Sequence, residues 1–241
     1  MTVPVEGWPT STRQLEQRQR ELAALEPSPW SAGGRLIVAG LFAASATGLA
    51  GRGAAGDPLW AGAAVVDAAE PNRPLELAVV RGRAGGPYIA GMLALRVGEL
   101  LERAIRSLRH RPDLVMVDGT GRDHPRRAGL AVQLGAVLDL PTVGVTVRPL
   151  VAPAVDAPSD RATAAEVVLE GDVVGYAVRT RRGARPVIAH AGWRTTPEVA
   201  RDVVLAVASG RSRTPEPLRW ARRAAREARA QDESGRERHP S

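Results

Sequence analysis

The sequence predicts a single-domain α/β fold, one mixed sheet flanked by helices, and three observations lead there. Strand-length apolar segments follow one another at residues 35–42, 61–68 and 74–81. With no helix-length segment between them, they are expected to pair as a meander. Strand, helix and strand then alternate over 113–119, 126–138 and 141–147, the order that crossover connections turn into parallel pairs. The length of 241 residues suits one such domain.

Each element has a local reason. Residues 11–25 read as an amphipathic helix that Ser11 or Thr12 can cap, with Leu15, Leu22 and Leu25 at helical spacing and Pro27 and Pro29 as stops. RLIVAGLF (35–42) is a near-continuous apolar run, and the glycine-rich 46–58 is a loose hairpin connection. AGAAVVDA (61–68) and PLELAVVR (74–81) complete the meander. A helix is expected from about Gly91 to Arg109, because Met92, Leu95, Leu100, Leu101, Ile105 and Leu108 share one broad face. DLVMVDG (113–119) is a buried strand ending in an acid, followed by a helix over about 126–138 and the strand PTVGVTV (141–147).

Residues 151–164 are a Pro/Ala-rich loop, 165–180 a hairpin about Glu170-Gly171-Asp172, and RPVIAH (185–190) another strand. Helices over about 197–208 and 217–230 close the fold. In this division residues 1–30 are a helical segment packed on the domain, 31–230 the domain itself, and 231–241 a disordered polar tail.

Composition narrows the chemistry. All 33 basic residues are arginine, against 26 acidic ones, for a net charge of +7. Without lysine there is no Schiff base or P-loop lysine, and without cysteine no thiolate nucleophile, disulfide or cysteine-bound zinc. Apolar residues are 44% of the chain but aromatics only 3%, so the core is expected to be aliphatic. A GC-rich genome accounts for an arginine bias, and a forked, permanently charged surface also suits phosphate. No apolar run approaches the ~20 residues of a membrane span, and the N-terminus has no apolar leader segment. A soluble, cytoplasmic monomer is expected.

The segments VAGLF, PYIAGMLALR, VDGTGRDHPRRAGLAVQLGAVLDLPTVGV, VIAHAGW and RTPEPLR, in that order, resemble the endonuclease V family. The resemblance spans about residues 10–228 and implies a ribonuclease H-like fold. It also implies divalent-metal-dependent cleavage of nucleic acid one bond beyond a deaminated adenine, inosine. Such chemistry needs several carboxylates around Mg²⁺.

Where the resemblance calls for those groups, this chain departs. Phe42 stands in place of the first aspartate, Val97 in place of the glutamate, Val147 in place of a lysine and Trp193 in place of a histidine. Asp118 is the single family carboxylate retained, and no metal ligand set is expected. The four replacements are expected to meet as a small hydrophobic cluster. Asp67, Glu99 and Asp123 are the acids nearest in sequence for a relocated site, with Glu99 facing away from Val97 by helical geometry.

The recognition half is better kept. Tyr88 and Ile89 match the family's strand-splitting wedge, although its second proline is Ala90. Gly91, Leu93, Gly119 and Gly121 match positions lining the flipped base. His124, Arg126 and Arg127 read either as phosphate contacts or as a helix start whose histidine bonds backbone. Arg219, Arg222, Arg223, Arg226 and Arg229 load the last helix with charge, facing phosphate or solvent alike.

The expected function is a nuclease-like protein without nuclease activity that retains binding to DNA or RNA, at deaminated bases. Two alternatives stay open. One is an active Mg²⁺-dependent endonuclease with relocated ligands, the other an interaction protein that has lost nucleic acid.

Overall fold

The computed structural model describes residues 7–238, with side chains to residue 235. Its strands are β1 (Ile37–Ser45), β2 (Pro58–Asp67), β3 (Pro74–Arg83), β4 (Leu114–Asp118), β5 (Thr142–Thr146), β6 (Ala164–Leu169), β7 (Asp172–Val178) and β8 (Val187–Ala191). Its helices are α1 (Thr12–Ala23), α2 (Leu93–Arg106), α3 (Leu130–Leu138), α4 (Pro197–Ala206) and α5 (Glu216–Arg238).

All eight strands form one sheet in the order β3-β2-β1-β4-β5-β8-β7-β6. The meander is antiparallel, whereas β4 lies parallel to both β1 and β5. The mixed sheet flanked by helices is therefore as expected.

Side chains alternate across the strands, so the sheet has two cores. Ala39, Leu41, Val115 and Val117 pack with Val97 and Leu101 of α2 and Leu130 and Leu134 of α3. Val38, Leu114, Met116 and Val145 pack on the other face, with Ala200, Val203 and Val204 of α4 and Leu218 of α5. Both cores are mainly aliphatic, with Tyr176 buried in the second. Helix α1 is capped by Ser11, whose hydroxyl accepts the Gln14 N–H, and it buries Leu15 and Leu22. Each such leucine contributes roughly 1.5–3 kcal/mol.

Helix α5 comes unusually close to the sheet. A Cβ on Gly40 would sit 2.2 Å from the Pro217 carbonyl carbon, and one on Gly62 would sit 2.1 Å from the Ala221 oxygen. These two glycines let the helix lie directly on β1 and β2.

Two boundaries differ from the sequence reading. The helix expected from 126 begins at Leu130. Arg127 has a left-handed backbone with φ of 53°, and the Gly129 N–H donates back to the Gly121 carbonyl, so 121–129 is a looped turn. The expected tail also continues α5 as far as Arg238. Its polar side chains are anchors: Asp232 accepts from the Trp60 indole at 2.8 Å and from Arg81 at 2.6 Å, and Glu233 accepts the Thr47 N–H. Residues 239–241 of that expectation lie outside the described residues.

Candidate functional site

The parallel pairing of β1 with β4 ends at Leu41 opposite Val117, which sets Phe42 beside Asp118. By strand alternation both point toward α5. Here, at the carboxyl ends of β4 and β5, a cleft of about 1080 Å³ opens. Phe42, Val97, Asp118, Val147 and Arg222 line its floor and mouth. Ligands in α/β sheets favour this end of parallel strands.

Asp118 is held from α5. Arg222 donates to its Oδ2 at 3.1 Å, and the same guanidinium lies 5.0 Å from the centre of the Phe42 ring. Arg226, one turn further on, lies 5.6 Å from that ring. Burial pushes the Asp118 carboxyl above its ordinary range, and the charges of Arg222 and Arg226 oppose the rise. The Arg222 Nε is buried with no partner. Sequence reading placed Arg222 on a basic helix and missed this role. The proline-rich start of α5 and the glycines beneath it were the available signals.

Phe42, Val97 and Val147 line the one cleft, but with Trp193 they do not pack as the single apolar cluster expected. Phe42 packs with Trp60 and Ala225 toward α5, whereas Val97 belongs to the core on the opposite face of the sheet. Val147 is 62% exposed at the cleft mouth. Trp193 packs with Leu22, Ala128 and Val132, and its backbone N–H donates to the Thr142 hydroxyl. The register explains this, because β8 runs antiparallel to β5 with Ala191 opposite Val143. Trp193 therefore falls near the amino end of β5, away from the cleft.

None of the acids weighed for a relocated site lines the cleft. Asp67 takes Arg35 at 2.6 Å, at the opposite end of β2 from the residues that flank Phe42. Glu99 is exposed on α2. Asp123 is fully buried and accepts the N–H groups of Leu150, Val151 and Ala152, fastening the loop after β5. His190 Nδ1 lies 3.8 Å from Asp123, and its Nε2 lies 2.7 Å from the Thr146 hydroxyl. Burial lowers its pKa to about 4 despite Asp123, so its ring is neutral at pH 7.

The divalent metal implied by the resemblance does not fit these residues. Mg²⁺ takes several hard oxygen donors in near-octahedral array. The cleft presents one carboxylate, already bonded to a guanidinium, and its other charged lining residues are Arg52, Arg96, Arg148 and Arg222. Among the described residues no group of three His, Asp or Glu side chains is placed to hold an ion.

On the opposing wall the cleft is lined by Tyr88, Ile89, Gly91, Leu93, Gly119 and His124. Tyr88 is half exposed, while Ile89 packs partly against the core. The His124 Nε2 lies 2.8 Å from the Gly91 carbonyl and its Nδ1 accepts the Arg126 N–H. Its Nε2 is thus the protonated nitrogen, and burial lowers its pKa. This matches the backbone-bonded alternative for the histidine.

Gly121, Arg126 and Arg127 lie outside the cleft lining. Arg126 reaches Glu16 of α1 at 2.5 Å, and Arg127 reaches Glu170 at 2.9 Å and Asp172 at 3.4 Å. Both arginines tie the turn to neighbouring elements.

A profile of the endonuclease V family matches residues 42–223. The chain belongs to the endonuclease V family. The endonuclease V of Roseiflexus sp. (strain RS-1) is 36% identical over 215 residues, covering 89% of this chain and 91% of that one. A solved endonuclease V from Streptomyces avermitilis superposes with a TM-score of 0.82 at 32% identity, over 94% of this chain and 96% of that one.

A third endonuclease V, from Ciona intestinalis, was solved with a 24mer DNA containing an inosine followed by a ribo-adenosine. It shares the fold at a TM-score of 0.76 and 19% identity, over 91% of this chain and 98% of that one. No helix among the described residues is long and apolar enough to cross a membrane.

Proposed function

We propose that this member of the endonuclease V family is a nucleic-acid-binding protein without nuclease activity, retaining DNA or RNA at deaminated bases. One observation carries the reading: Asp118, the only carboxylate lining the cleft among the described residues, is bonded to Arg222. Three further arginines, Arg52, Arg96 and Arg148, also line the cleft. Such a field disfavours a divalent cation and favours a phosphate. Arg96 is buried and paired with Asp57, whereas Arg52 and Arg148 are exposed and make no ion pair among the described residues.

Recognition of the base is assigned to the wall. Tyr88, exposed beside the cleft, offers a ring on which an unpaired base stacks. Gly91, Leu93 and Gly119, with their backbone, form the surface against which the base lies. The inosine-bearing DNA held by the Ciona intestinalis protein on the same fold supports this reading. Mg²⁺ enters the scheme only in the active alternative.

The test is one assay on an oligonucleotide carrying a single inosine. The protein in excess should retain it, with a preference over the adenine control, and leave it uncut with Mg²⁺ or Mn²⁺. Tyr88→Ala should weaken retention about tenfold, within the ~1–3 kcal/mol of a base–aromatic stack. A metal-dependent cut one bond beyond the inosine would overturn the loss of activity. Absence of salt-dependent binding would leave an interaction protein.

A further inference from the structure

The floor of the cleft and the helical turn beside it hold an arrangement that the family resemblance did not lead one to expect: Arg222 lines the cleft, and Arg226 lies just outside its lining. Arg222 and Arg226 are one turn apart on α5, and both guanidinium carbons lie over the same Phe42 ring, at 5.0 and 5.6 Å. Arg222 spends one N–H on Asp118, and its Nε is buried with no partner. A guanidinium has five donors in a fixed fork, so most of its capacity is unused. Arg226 is exposed and makes no ion pair among the described residues.

A ring under two cations orients them without taking their hydrogen bonds. It also offsets part of the cost of bringing like charges together. Phe42 thereby has a positive role as a platform, beyond the removal of a carboxylate.

On the reading that this cleft binds nucleic acid, we propose that Arg222 and Arg226, seated on Phe42, are its metal-independent phosphate anchor, and that Asp118 is an internal competitor occupying Arg222 until a phosphate displaces it. The backbone phosphate next to the recognised base is the ligand class. Two observations favour exchange over a permanent ion pair. The Asp118 bond is a single one at 3.1 Å, not the bidentate fork that gives arginine–carboxylate pairs their strength. The carboxylate is also only 31% exposed, and burial disfavours its charged form. A phosphate there meets two guanidiniums instead of one.

The assignment predicts an inverted response to the one retained family carboxylate. Where a carboxylate binds metal for the substrate, removing it weakens metal-dependent binding. Here its removal should free Arg222 and tighten binding. The experiment measures fluorescence anisotropy of a labelled inosine oligonucleotide on the full chain, with EDTA and with Mg²⁺, across a salt series.

Wild type should bind equally with EDTA and Mg²⁺. Asp118→Asn should bind several-fold more tightly, and Arg222→Gln about tenfold or more weakly with a log K against log salt slope shallower by about one. Because Arg222 is partly buried, its variant is checked by thermal melting. Arg226→Gln, fully at the surface, should lose several-fold and flatten the slope without touching the melt.

The anchor is overturned if wild type requires Mg²⁺. It is also overturned if both arginine variants bind like wild type, or if Asp118→Asn weakens binding. Those results leave inosine retention by wild type intact and so strike only this inference. Failure of wild type to retain the oligonucleotide strikes the proposed function, and the anchor with it.

Discussion

The two sides of the cleft are built differently. The wall is largely backbone, the turn at Gly91, the loop through Gly119 and His124 bonded to a carbonyl, with Tyr88 as its exposed ring. The floor is made of side chains: Phe42, Asp118 and Arg222. A side-chain floor can change its chemistry while the strands beneath keep their register, since only groups beyond the backbone ladder are exchanged. A backbone wall is tied to the packing of the domain. Behind the lining, in the loop that carries Gly119, a Cβ on Gly121 would lie 1.9 Å from the Ala191 carbonyl oxygen, so that glycine is required by the fold whether or not a base binds nearby. Such glycines thus speak first for architecture, and the floor side chains speak for chemistry.

The contrast is open to direct attack, beginning with the largest effect. Gly121→Ala should cost about 3 kcal/mol or more, because the obstruction is backbone and cannot swing aside. Urea unfolding reads this, and a loss below about 1 kcal/mol would show that the loop yields.

Acid should act on the support of the wall through His190. Its folded value is about 4 against an ordinary 6.5, so on acidification the unfolded chain takes up the proton first. Stability should be full above pH 6.5 and fall by up to about 1.4 kcal/mol per pH unit toward pH 4. Urea titrations should show this slope in wild type and its loss in His190→Gln, and a pH-independent difference between the two would refute it.

The smallest effect is expected at Arg126. Its pair with Glu16 is partly exposed, so Arg126→Ala should cost no more than about 1 kcal/mol. Oligonucleotide affinity should stay within about twofold. A tenfold loss would return Arg126 to the binding surface.

Much of this was readable in one dimension. Alternating or continuous apolar runs located the strands, because burial on one or both faces leaves a period in the chain. The hairpin about Glu170 and Gly171 was visible as a turn signal, and both residues have positive φ, at 54° and 91°. The start of α3 was misplaced because Arg127 adopts a left-handed conformation that its side chain does not announce. The end of α5 was misplaced because a polar segment looks the same whether solvated or bonded to a distant indole. Trp193 was assigned to the cleft by motif alone, and strand register put it at the other end of β5.

By itself the sequence determined the family, the order of the elements and the apolar character of positions 42, 97 and 147. These follow from residue identity and local spacing. The tertiary structure alone decided that Arg222, 104 positions from Asp118, supplies the charge at the floor. It also decided that Arg126 and Arg127 are engaged by α1 and the β6–β7 hairpin, and that Asp123 fastens a loop. Those facts depend on how closely α5 lies on β1, on helix phase and on strand register. Such quantities arise only when segments distant in the chain are packed together.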